Sequence, residues 1–167
     1  MSDTSASGCK EALRQAIITG LEQNLATAVQ AANTARDTAT SKESIAENKY
    51  DTFGLEASYL AHGQSQRVLD LQQEIDHYKS LVFKDFNSED EIDLTCLVTL
   101  INEQDEYRVF FIGPAAGGMK LQWQQRELVL ITPQTPLGQS IIGKQIGDEI
   151  TLTQAGKQQL YEIIKIT

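Results

Sequence analysis

The chain has 167 residues, 41% of them apolar, enough for one ordinary domain or for an arm plus a small domain. Its 14 basic residues face 23 acidic ones, a net charge of −9. That balance argues against a free-standing nucleic-acid binder, whose affinity comes from neutralising phosphates. It favours a protein partner, a metal ion or a basic surface.

Residues 1–10 are Ser-rich and polar and read as a flexible tail without a secretory signal. No stretch approaches the roughly 18 apolar residues of a spanning helix. Cys9 and Cys96 are two cysteines, not a disulfide framework, and fit a reducing cytoplasm. Residues 11–84 then read as two long helices folded back on each other, with the reversal near residues 41–53. In the first helix Ile18, Leu21, Leu25, Ala28, Ala32, Ala35 and Ala39 step by threes and fours. In the second, Ala57, Ala61, Gln64, Val68, Leu71, Ile75, Tyr78 and Val82 do the same. Such spacing makes one apolar stripe per helix, and each stripe must meet another. Short connections favour intramolecular antiparallel pairing, and so a monomer. The first helix weakens at Thr38–Ser44, where Ser and Thr side chains compete for backbone hydrogen bonds.

Residues 85–90 form a polar linker. From residue 91 the period changes to two. Ile92, Leu94, Cys96, Val98 and Leu100 alternate as a strand. Residues 107–112 and 127–131 read as further strands, and 150–153 with 159–166 as a closing hairpin. Between the third strand and that hairpin lies one short helix. Thr135 can cap it, Pro136 suits its first position and Gly143 its left-handed end. The fold class is α+β: an antiparallel helical coiled-coil hairpin followed by a small, mostly antiparallel sheet with one helix.

That segment reads Ile131-Thr-Pro-Gln-Thr-Pro-Leu-Gly-Gln-Ser-Ile-Ile-Gly-Lys-Gln-Ile-Gly-Asp-Glu-Ile150. It resembles the signature of the C-terminal domain of the Gre transcription elongation factors, the bacterial transcript-cleavage factors. The matching positions are Thr135, Pro136, Leu137 and Gly138, then Gly143 and Lys144, then Gly147 and Asp148. The resemblance covers residues 91–167 loosely and about 20 residues closely. It implies an FKBP-like domain without isomerase activity that docks on RNA polymerase core, with the coiled coil entering the secondary channel. It further implies a cytoplasmic factor that is not itself an enzyme and acts through the polymerase's own active site. No intrinsic cofactor, membrane contact or independent nucleic-acid binding is expected.

In the family the arm tip reads Asp-x-x-Glu-Asn, and its acids help to hold a catalytic Mg²⁺ in the polymerase. Here Glu47-Asn48 matches, while the Asp position falls on Ser44. Glu43, Glu47 and Asp51 would stack on one face if the stretch is helical. From spacing alone, a solvated charged face is the commoner outcome. Glu47 is thus the expected Mg²⁺ contact, helped by Glu43 or Asp51. Two modes stay open: stimulation of transcript cleavage, or occupation of the channel that modulates initiation or pausing. The rival from another class is a coiled-coil adaptor unrelated to polymerase. Elsewhere, His62 and His77 lack a second ligand at metal spacing and read as surface or packing residues. Trp123 and Tyr107 read as core or rim.

Overall fold

The computed structural model describes residues 3–40, 53–154 and 156–167. Two long helices come first: α1 (Asp3–Thr40) and α2 (Phe53–Ser80). Six strands and a short helix follow: β1 (Leu97–Ile101), β2 (Tyr107–Ile112), β3 (Lys120–Trp123), β4 (Arg126–Ile131), α3 (Pro136–Ile141), β5 (Glu149–Gln154) and β6 (Lys157–Ile166). The chain divides into two compact units, residues 14–79 and residues 1–13 with 80–167.

In the first unit the helical stripes are visible as burial. Ile17, Ile18, Leu21, Ala28 and Ala35 of α1 are buried, as are Leu71, Ile75 and Tyr78 of α2. A groove lined by Thr27, Ala31 and Thr34 of α1 with Leu60 and Gln64 of α2 sets the two helices side by side. The stripe on α2 stops before Val82, which is 81% exposed, because the helix ends at Ser80.

The second unit is built on one sheet of order β3-β4-β2-β1-β6-β5. Four of its seams are antiparallel, and β2 with β4 is parallel. The parallel seam arises because β3, absent from the sequence reading, takes the edge and turns back into β4. β4 then slots in beside β2, with Val109 opposite Leu128. β3 is only four residues long, too short for its alternation to stand out. The expected strand at Ile92 begins only at Leu97. Before it the chain makes a turn closed by Cys96 N–H on Asp93 O, and Thr95 sits at φ 73°, outside any strand. Ile92 and Cys96 are still buried, and their backbones bond to Lys144 and Gly143 and to Ile112 outside any regular strand.

Two further segments differ from the sequence reading. Residues 3–10, expected as a tail, continue α1 to Asp3. An acidic residue at a helix start is favourable there, while Gly8 and the Ser and Thr residues of that run oppose the helix, which is why the run read as a tail. Lys10 near this end pairs with Asp85 at 3.1 Å and donates to Lys84 O. The polar stretch 85–90, expected as a linker, is an ordered turn. Asp90 accepts from Asn87 N–H at 2.7 Å, and Gln145 Nε2 donates to Glu89 O at 3.1 Å.

The core of this unit lies under α3. Val98, Leu100, Phe110, Ile112, Ile141, Ile150, Tyr161 and Ile163 form one buried cluster. Seven of these come from strands and α3 contributes Ile141, so the helix seals one end of the sheet face.

Candidate functional site

The motif segment is a set of backbone pins. Thr135 Oγ1 accepts from Gly138 N–H at 3.0 Å and donates to Thr132 O at 2.8 Å. That cap satisfies an N–H that the first turn of α3 leaves open. Pro136 stands where no N–H is needed. Gly138 is buried, and a Cβ there would lie 2.0 Å from the Thr132 carbonyl oxygen, so no side chain fits. Gly143 adopts φ +79° and donates to Ile92 O at 2.9 Å, while Ile92 N–H donates to Lys144 O at 2.8 Å. Gly147, at φ +92°, donates to Ile163 O at 2.8 Å. Asp148 accepts from Gln145 N–H at 2.8 Å through its side chain and from Ile163 N–H at 2.9 Å through its carbonyl. The motif therefore ties α3 to β6 and to the segment before β1.

These pins shape a groove of about 680 Å³ between the sheet face, α3 and β5. Its apolar lining includes Phe110, Val129, Leu137 and Leu152, which pack on or belong to the core cluster. Arg108, Lys120, Arg126 and Glu127 also line it, with Ser140, Thr151 and Thr153 opposite on α3 and β5. Lys120 pairs with Glu127 at 3.0 Å. The Arg126 guanidinium stacks 4.3 Å from the centroid of the Tyr107 ring. Parallel pairing of β2 and β4 puts those two residues beside each other at the strand starts. Tyr107, 44% exposed, is thus a rim residue.

Of the motif residues, Pro136 and Leu137 face this groove. Thr135 and Gly138 hold α3, and Gly143, Gly147 and Asp148 hold the turns that follow it. Sequence reading did not single out Arg108, Lys120 and Arg126. Their one signal is charge: three cations from three neighbouring strands, in a chain of net charge −9. Glu43, Glu47 and Asp51 lie outside the described residues. Among the described residues no group of three or more His, Cys, Asp or Glu could hold a metal ion, and His62 and His77 are exposed on α2.

Among the described residues, two groups have displaced pKa values. Hydrogen bonding from Lys84 and from the Leu94 backbone holds Asp93 below the usual 3.8. Burial pushes the Cys96 thiol up from 9.0 to about 11, so it stays protonated at neutral pH and is a poor nucleophile.

The decisive likeness is in this unit. Residues 87–167 match the family model described as transcription elongation factor, GreA/GreB, C-terminal domain. The C-terminal unit is thus a GreA/GreB C-terminal domain. The match covers the sheet and α3, and the two long helices precede it in an α+β chain. Solved structures with weak likeness include GreA factor homolog 1 (Gfh1) of Thermus thermophilus. It is 17% identical with a TM-score of 0.38, covering 90% of this chain and 94% of that one. Gfh1 of Thermus aquaticus is 15% identical with a TM-score of 0.38, covering 89% and 92%. A GreA/GreB factor from Nitrosomonas europaea is 15% identical with a TM-score of 0.39, covering 58% and 78%. No curated protein matches the chain significantly. No helix among the described residues is long and apolar enough to cross a membrane.

Proposed function

We infer that this Gre-family chain is a monomeric cytoplasmic factor that binds RNA polymerase core. Its C-terminal domain docks on the enzyme and its helical arm enters the secondary channel. The observation that carries this reading is the GreA/GreB domain match over residues 87–167, in a chain whose preceding 38- and 28-residue helices provide an arm. A helix of 28 residues is about 42 Å long, far enough to reach into an enzyme from its surface. The docking surface is the face around Thr135, Pro136, Leu137 and Gly138, with Gly143, Gly147 and Asp148 holding its shape. The factor is not an enzyme alone. Its effect passes through the polymerase's own centre, and it has no independent affinity for nucleic acid.

The tip acids are the second part of the proposal. Carboxylates are the donors a hard cation takes, and Mg²⁺ so held lowers the pKa of an attacking water. Glu47, in the Glu-Asn match, is the residue assigned to that contact, with Glu43 or Asp51 beside it. A backtracked transcription complex tests this. Cleavage stimulated by the parent chain and abolished by Glu47→Gln supports the cleavage mode. Stimulation that survives Glu47→Gln removes Glu47 from the mechanism. Binding without stimulation selects the channel-occupying mode.

A further inference from the structure

We propose that the groove under α3 is a binding site for a small organic anion: an apolar or aromatic body carrying a phosphate or carboxylate. The size is right. A volume of about 680 Å³ lies within the range of roughly 300–1,000 Å³ seen for small-molecule sites. The chemistry is split in the way such a ligand needs. Phe110, Leu137 and Leu152 supply an apolar wall that extends the core. At the other side Lys120 and Arg126 face Glu127, leaving an excess of one positive charge among these three, with Arg108 on the same lining. That excess is concentrated in one concavity of a chain whose net charge is −9.

Arg126 is the anchor. Its guanidinium is stacked on the Tyr107 ring at 4.3 Å, and no carboxylate among the described residues pairs with it. Stacking on an aromatic face fixes the plane of the guanidinium while leaving its N–H fork free at the edge. A planar fork held in place loses little freedom when it grips a carboxylate or phosphate bidentately. Lys120 is partly neutralised by Glu127 at 3.0 Å, so Arg126 carries more of the attraction. Pro136 and Leu137 of this groove also belong to the proposed polymerase-docking face, but the test below uses no polymerase, so the two readings fail separately.

The probe is 1-naphthyl phosphate, titrated into the full chain and followed by amide and Arg Nε chemical shifts. Inorganic phosphate and 1-naphthol, each half of the probe, are the controls. The expected result is saturable binding, with shifts centred on Phe110, Leu152 and the Arg126 side chain. Each half should bind at least about tenfold more weakly, and Arg126→Gln should weaken the probe by about tenfold, the effect of one lost charged contact. Arg126 is exposed on its strand, so the variant should keep the parent melting temperature. Arg126→Lys, which keeps the charge and loses the fork, should fall between the two. No saturable shift, shifts confined to the arm, or equal binding by Arg126→Gln would each overturn the proposal.

Discussion

The arm and the C-terminal domain bury their side chains in different ways. In the domain Cys96, Val98, Leu100, Ile112, Ile141 and Ile163 are wholly hidden, each at 0% exposure. In the arm the large buried residues, such as Ile17, Leu21, Leu71 and Tyr78, lie toward the chain ends of its helices. Farther along, the buried positions are Ala28 and Ala35, and Tyr59 and Leu60 stand out at 71% and 56% exposure. A sheet capped by a helix can close a core on all sides. Two helices can only share a stripe. Stability in the domain therefore rests on fit, and in the arm on a few large contacts.

The largest expected effect breaks the domain. Gly138→Ala forces a methyl group into the Thr132 carbonyl 2.0 Å away, and both are backbone-held. A loss of about 3 kcal/mol or more is expected, read by thermal unfolding. Gly143→Ala sharpens the point. Space is open there, and only its φ of +79° opposes a side chain, so about 1 kcal/mol should be lost. Equal losses at both glycines would show that close approach is not what the motif protects.

Next comes the arm. Leu71→Ala removes a side chain that is 1% exposed. A two-helix stripe can settle onto the gap, so the cost should lie at the low end for such changes, about 2 kcal/mol. Helical circular dichroism should then melt earlier while the domain's near-ultraviolet signal holds. A single joint transition at lower temperature would mean that the two units unfold together.

The smallest effect is a pH dependence in the domain. The folded-state pKa of Cys96 is raised, to about 11 from 9.0, so its contribution is complete below 9.0 and is lost as pH rises toward 11. By about pH 10 the loss should be on the order of 1 kcal/mol. Cys96→Ala, less stable at neutral pH, should show no such alkaline slope beyond that of the other groups. An unchanged slope would place the effect elsewhere.

What the sequence made legible follows from the same contrast. Helical stripes are long and repeat many times, so both helices could be read from period alone. The glycines around α3 were legible too, since caps and left-handed turns demand particular residues. β3 was not, because four residues at a sheet edge carry no pattern. Nor was the start of β1: Ile92 and Cys96 are buried, but a turn with Thr95 at φ 73° lies between them and the strand begins only at Leu97. The groove cations were hidden for another reason. Lys120 and Arg126 share the β3–β4 hairpin, whose short β3 was not legible, and Arg108 joins them only through the parallel seam of β2 with β4. Local spacing cannot encode that seam.

The most direct test of the polymerase reading is equilibrium binding of the full chain to RNA polymerase core at low salt. It should be run with the parent chain, with Glu47→Gln and with a variant in which Pro136 and Leu137 are replaced by Ser. The expected result is saturable binding by the parent at micromolar concentration or below. Glu47→Gln should bind nearly as well, and the groove variant markedly less well while still folded by circular dichroism. Absence of binding by the folded parent chain would contradict the reading outright.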